Sequence, residues 1–272
     1  MREVGRGVMS AEMFEDLEKH CFFKREPQPG ELFRFTWEEL TRPEKAAELL
    51  SLYGPGIKAQ EPDVAAAYFG SWLGGLCTAL QHSVSFHNAS FRLEPDNVTI
   101  QGYRNGSHTA FGFLLEDRET VTVPAASREA WRDSLLQSFY GLHLRPLVES
   151  VASAAGVDPG MVWSAPVTRI HYAYDHWLES ARDSEHRQTV EEDFRYLLQL
   201  GGEHFGRKRN PLDVKFRYVE NPKDPGEKWR LKASCCLAYR TGSGHGYCYT
   251  CPRLTAAERE EKKRAMLAAA GS

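Results

Sequence analysis

The sequence predicts an α+β fold, mainly helical, with a central antiparallel sheet or hairpins and a small C-terminal region marked by clustered cysteines. Three observations lead there. Val64 to Leu80 is an uncharged stretch of 17 residues, long enough for a buried helix. The block from Phe86 to Pro124 alternates in polarity and carries turn signals. The segments on either side of that block place apolar residues at helical spacing.

Residues 10–20 read as a helix capped by Ser10, with Met13 and Leu17 on its apolar face. Residues 26–36, rich in Pro and Gly, read as a loop. A short helix is expected from Trp37 to Leu50, where Thr36 and Glu39 have the spacing of a capping box. Val64–Leu80 is slightly short for a membrane span, is rich in Ala, Gly and Ser, and has no companion span. A core helix is therefore expected, with Gly70-x-x-x-Gly74 suited to close helix contact. Ser90–Leu93, Asn97–Ile100, Ala110–Leu115 and Thr120–Val123 predict three or four antiparallel strands, with Asn105-Gly106 as a hairpin turn. After Ser127 a long helix is expected to bury Trp131, Leu135, Phe139, Leu142 and Leu147, with Pro146 kinking or ending it. Pro159–Ser180 and Thr189–Leu200 predict two more helices, the last closed by Gly201-Gly202. No repeat or linker is visible. Residues 1–226 are expected to form a substrate-binding region and 227–272 a cysteine-bearing region, packed as one unit.

The 272 residues are 42 % hydrophobic and 26 % charged, as in a soluble globular protein. A net charge of −3 gives no reason to expect nucleic acid or an anionic membrane as partner. No apolar stretch follows the opening Met1 to Arg6, so no export signal and a cytoplasmic location are expected. The sequons at Asn88, Asn97 and Asn105 are then chance matches.

Of six cysteines, Cys21 and Cys77 stand alone and read as core thiols. Cys235, Cys236, Cys248 and Cys251 fall within 17 residues, a pattern of metal or redox chemistry rather than of a disulfide framework. Four thiolates complete the ligand set of a tetrahedral zinc or of a [2Fe–2S] cluster. The Cys-x-x-Cys half suits either. Adjacent residues lie about 3.8 Å apart at Cα, and in extended chain their side chains point to opposite sides. One zinc therefore accepts both Cys235 and Cys236 only with an awkward backbone, whereas a two-iron cluster is larger. The short Cα separation also disfavours a disulfide between them. Lys228, Arg230, Lys232, Arg240 and Arg253 give this segment a local charge of +5. Such a charge favours a bound anion and the reduced form of a cluster; it also fits a solvated loop or a docking face for an acidic partner. Gly242, Gly244 and Gly246 lack the setting of a phosphate loop and are expected to let the chain wrap closely and donate N–H groups to sulfur. His245 is a candidate donor to sulfur, with a solvated loop residue as the simpler alternative. Thr255-x-x-Glu258 opens a charged C-terminal helix.

Cys-Cys-Leu-Ala-Tyr-Arg (235–240) and Cys-Tyr-Thr-Cys-Pro-Arg-Leu (248–254) resemble the terminal motif of the FhuF-like siderophore ferric reductases. Eleven residues separate the two halves where that family more typically has ten. A weaker resemblance runs through Trp72–Ile100 and Phe139–Leu178. The resemblance implies a [2Fe–2S] cluster on Cys235, Cys236, Cys248 and Cys251. It further implies a cytoplasmic reductase of siderophore-bound iron(III), often a hydroxamate chelate. Iron(III) is bound tightly by anionic oxygen, and one electron weakens every such bond. No flavin or nicotinamide motif is visible, so a separate donor such as a ferredoxin or flavin reductase is implied. The alternatives are a structural-zinc binding protein and an enzyme of siderophore assembly; the latter has no obvious need for the terminal cysteines.

Among the scattered histidines, His171 and His176, with Tyr172, Tyr174 and Trp177, are expected to form a buried aromatic face, or else to line a substrate pocket. Arg169 and Arg182 are candidates for meeting chelate oxygens, although surface arginine is the default.

Overall fold

A computed structural model describes residues 5–122, 127–244 and 246–270. Val123, Pro124 and His245, named above, lie outside the described residues, as do Met1 to Val4.

Strand β1 (Gly5–Val8) leads into helix α1 (Ala11–His20), where the Ser10 hydroxyl accepts from Met13 N at 3.1 Å. Met13, Phe14 and Leu17 are buried, as the spacing predicts. The expected loop at 26–36 is a strand over its second half, β2 (Glu31–Thr36). Phe33 and Phe35 face the core and Leu32 and Arg34 face outward, so a period of two was present behind the Pro- and Gly-rich opening. The single helix expected over Trp37–Leu50 is two. The Thr36–Glu39 capping box starts α2 (Trp37–Leu40), and Pro43, which lacks an N–H, starts α3 (Pro43–Gly56).

Helix α4 (Pro62–His87) is the spine of the molecule, buried over most of its length. Gly70 and Gly74 let the following helices approach. A Cβ at Gly70 would lie 3.0 Å from the Ala165 side chain, and one at Gly74 3.0 Å from Arg169 Cδ. Among the described residues no helix is long and apolar enough to cross a membrane. Asn88, at φ +48°, ends the helix in the left-handed region.

Four strands follow: β3 (Ala89–Phe91), β4 (Val98–Asn105), β5 (His108–Leu115) and β6 (Glu119–Thr122). They build two antiparallel sheets of order β1-β6-β3 and β2-β4-β5. Asn105-Gly106 makes the β4–β5 turn, with Gly106 at φ +59°.

The long helix expected after Ser127 is interrupted. α5 (Arg128–Ser138) passes through a π-helical turn, Phe139–Leu144, into α6 (Arg145–Ala155), with Pro146 in the first turn of α6. The wider turn rotates the buried face. Phe139, Tyr140, Leu144 and Leu147 are buried, while Leu142, expected inside, is 71 % exposed. Pro159–Ser180 likewise splits at Pro166 into α7 (Pro159–Ser164) and α8 (Val167–Glu179). α9 (Ser184–Gln199) starts earlier than expected because Asp183 caps it. A hairpin absent from the sequence reading, β7 (Tyr218–Asn221) and β8 (Asp224–Arg230), leads into the cysteine segment. Thr255 and Glu258 form the expected capping box of α10 (Ala256–Ala270).

A buried ion network ties α4, α5 and α9 together. Asp193, fully buried, accepts from Arg128 at 2.7 and 2.8 Å, from Arg132 at 3.1 Å and from Ser85 Oγ at 2.8 Å. Asp193→Ala would leave two guanidinium groups facing a site with no carboxylate. It should cost about 3–5 kcal/mol, read as a lower urea midpoint with an unchanged slope.

Candidate metal centre

The cysteine segment is held at both ends. On its N-terminal side Leu231 N donates to Arg217 O (2.8 Å), Lys232 N to Thr250 O (2.9 Å) and Ala233 N to Thr168 Oγ1 on α8 (2.9 Å). Ser234 Oγ donates to Ser164 O at the end of α7 (3.2 Å). On its far side Arg240 pairs with Asp63 and with Glu61 (3.4 Å) at the start of α4. Gly242 N donates to Lys58 O (2.8 Å).

Leu237, a non-glycine residue at φ +58°, turns the chain immediately after the cysteine pair. This left-handed residue costs about 1–2 kcal/mol. Its side chain offsets the cost by burial against Val64 and Ala67 of α4. The turn aims the Leu237 and Ala238 N–H groups at the sulfurs of Cys235 and Cys236 respectively. Among the described residues, backbone donation to these two cysteine sulfurs comes from the residues that follow the pair.

The Cys-x-x-Cys half is a tight turn, with Cys251 N donating to Cys248 O at 2.9 Å. Arg259 of α10 reaches back to the carbonyls of Tyr249, Cys251 (3.0 Å) and Leu254 (3.2 Å). Arg259 thus braces the turn, a role that nothing in its sequence context announces.

The sulfurs meet in two pairs. Cys251 Sγ lies 3.6 Å from Cys235 Sγ. Cys248 donates to Cys236, and the Lys232 ammonium approaches Cys236 Sγ at 3.4 Å. Among the described residues, no three of these sulfurs lie within 4.8 Å of one another. Four ligands on one zinc at about 2.3 Å would all sit roughly 3.8 Å apart. Two separated pairs fit two irons instead.

Residues 233–253 match the family model described as the FhuF 2Fe-2S C-terminal domain. This segment is similar to the FhuF 2Fe-2S type. Its cofactor is a [2Fe–2S] cluster, and its four cysteines fit the family motif. No curated protein matches the chain.

The FhuF-type segment forms one wall of a cavity of about 830 Å³. Phe22, Tyr53, Tyr68 and Trp72 supply aromatic surface, and Trp72 Nε1 donates to Tyr53 OH at 3.2 Å. Lys58, Arg169 and Lys232 supply positive charge, and no carboxylate lines the cavity among the described residues. Cys236 and Cys248 line it; Cys235 and Cys251 do not.

Of the five basic residues near the cysteines, Arg230 pairs with Asp175 and Arg240 with Asp63. Arg253 sits over the Tyr239 ring, its carbon 5.7 Å from the centroid. Among the described residues, Lys232 is the one of the five whose side chain reaches a cysteine sulfur. Much of the local positive charge is therefore spent on carboxylates brought from elsewhere in the chain.

Arg169 lines the cavity, its carbon 4.2 Å from the centroid of Phe22, whereas Arg182 bonds His186 and the Phe86 carbonyl. His171 Nε2 donates to Leu212 O (3.0 Å) from a buried position, and Tyr174 stacks on Phe194. Tyr172, His176 and Trp177 line a second cavity. The expected aromatic face is thus divided between core and pocket. Cys21 and Cys77 are buried, and burial pushes their thiols up to about 11 and 12.

Cys236 is held down to about 5 by the hydrogen bond from Cys248, aided by the Ala238 N–H and by Lys232; the shared proton pushes Cys248 up. Burial pulls Lys232 down, but the two thiols outweigh it and its pKa ends above the ordinary lysine value. A lowered pKa means that the thiolate persists well below the roughly 8.5 of a free cysteine. In metal-free protein at pH 6.5, iodoacetamide should label Cys236 before Cys235 or Cys251. Lys232→Met should move the onset of labelling to higher pH. Peptide mass mapping checks this, and equal labelling of all three thiols would contradict it.

Proposed function

We propose that this chain reduces siderophore-bound iron(III) by one electron, with Cys235, Cys236, Cys248 and Cys251 holding the cluster. The observation that carries the reading is the cavity: it is large enough for a compact ligand, is lined by aromatic rings and cations, and ends on Cys236 and Cys248. Bound by these cysteines, a [2Fe–2S] cluster supplies one electron at a time. The paired sulfurs set Cys236 with Cys248 on the cavity side and Cys235 with Cys251 away from the cavity. Residues 1–226 supply the chelate-binding walls and 227–272 the cluster-binding region, as one compact unit.

The chain's own residues have separable tasks. Phe22, Tyr53 and Trp72 exclude water and pack the organic part of the chelate. Lys58 and Arg169 draw its anionic oxygens, and Lys232 neutralises the sulfur edge that the chelate approaches. Iron(III) that takes one electron becomes iron(II), a weaker partner for anionic oxygen, so the ligand lets go. The electron comes from a separate donor such as a ferredoxin or flavin reductase, in the cytoplasm.

The lining refines the substrate class. Three hydroxamates neutralise iron(III), whereas three catecholates leave the chelate strongly anionic. Lys58 and Arg169 in the lining, with no carboxylate among the described residues, favour the anionic chelate over the hydroxamate first expected. Structural zinc is disfavoured by the two-by-two sulfurs. For siderophore assembly, no feature of the site speaks.

Anaerobically purified protein should contain two irons and two sulfides and give an S = 1/2 signal on reduction. That signal should vanish on adding a ferric chelate, and a colourless zinc protein would end the reading. Cys248→Ser should sharply lower cluster occupancy, while Cys77→Ser should leave the visible spectrum unchanged.

Lys58→Glu should raise KM for a ferric tris-catecholate about tenfold without altering the cluster spectrum, and should change little for a neutral tris-hydroxamate. An equal effect on both chelates would return the substrate class to hydroxamates.

A further inference from the structure

At the far end of α4 from the cysteines, three side chains converge that the reductase reading does not use. Asp16 comes from α1, and His82 and His87 come from the last turns of α4. A carboxylate oxygen of Asp16 and one ring nitrogen from each histidine all lie within 4.8 Å of one another. His87 Nε2 and Asp16 Oδ2 are 3.1 Å apart. Neighbouring nitrogen and oxygen ligands about 2.0–2.1 Å from one ion are separated by roughly 3.0–3.4 Å, so this spacing suits a shared metal.

A hydrogen bond accounts equally well for Asp16 and His87, but it does not account for His82. That residue is only 8 % exposed, and its Nδ1 is buried with no hydrogen-bond partner. Leaving such a nitrogen unpaired costs about 1–3 kcal/mol. The ring stacks on Phe86 with centroids 4.4 Å apart and planes within 10°, which fixes its plane.

The surroundings are those of a site with open positions. His82 lines a cavity of about 380 Å³ together with His20 and His176, whose rings lie 5.9 Å apart. His87 and Asp16 are only partly buried, which leaves a path to solvent.

We propose that Asp16, His82 and His87 form a binding site for a divalent first-row transition ion of borderline softness, of the class of iron(II) and zinc(II). Two imidazoles and one carboxylate select such ions over magnesium or calcium, which prefer all-oxygen shells. The remaining coordination positions are open to water or an exogenous ligand, because Asp16 and His87 are only partly buried. The site is independent of the cysteines and stands without the reductase reading. Under that reading the two cavities share Arg169 as a wall, and iron(II) released in the larger one is an ion at hand.

The test is equilibrium dialysis of the full chain, as isolated without oxygen, against micromolar zinc(II). Bound zinc is counted by elemental analysis while the visible spectrum is followed. One zinc per chain should bind with the spectrum unchanged. Asp16→Asn and His87→Gln, both at partly exposed positions, should each weaken binding by about tenfold or more while the far-UV circular dichroism stays as in the parent. No bound zinc would overturn the proposal. Binding that survives both substitutions would overturn it too, as would uptake accompanied by bleaching of the visible band, which would put the ion on the cysteines.

Discussion

Helix α4 is buried along most of its length, and the other features of the molecule are disposed along it. Its first turns carry Asp63, Val64 and Ala67, on which the cysteine segment rests through Arg240 and Leu237. Its middle presents Gly70 and Gly74, whose missing side chains let α7 and α8 come close enough for Ser164 and Thr168 to receive the same segment from the other side. Its last turns hold His82 and His87 and, through Ser85, reach the Asp193 network. One helix thus sets the distance between the cysteine end and the histidine end. A shift of α4 would move both.

The cysteine segment shows how local strain and tertiary packing are exchanged. Two neighbouring cysteines cannot turn to one side in extended chain. Leu237 takes the unfavourable left-handed conformation that follows them, and its burial on α4 offsets the cost. The same turn directs two N–H groups at sulfur, which favours thiolate over thiol. Packing, backbone geometry and sulfur chemistry are therefore one arrangement, and Arg259 extends it to the C-terminal helix by bracing the second cysteine turn.

Electrostatics follow from the fold more than from local composition. A segment of +5 appears strongly basic when read along the chain. In space, Asp175 and Asp63 answer two of its arginines, and Tyr239 takes a third. Lys232 is left beside the sulfurs, and Lys58 and Arg169 join it from distant parts of the chain to make the cavity cationic. The charge that meets a ligand is assembled from three separate segments.

The sequence by itself determined the helical core around Val64–Leu80, the β4–β5 turn at Asn105-Gly106, the caps at Ser10, Thr36 and Thr255, and the cysteine motif. Each depends on residues close along the chain, where spacing and chemistry decide. The sequence did not disclose β2, whose hydrogen bonds come from β4, or the π-helical turn that exposes Leu142. Nor did it disclose the roles of Leu237 and Arg259, the pairing of Cys235 with Cys251 and of Cys236 with Cys248, or the meeting of Asp16 with His82 and His87. Only the tertiary structure decided these, because each is a contact between residues whose proximity is set by how α4 packs against its neighbours and not by any local preference of the chain.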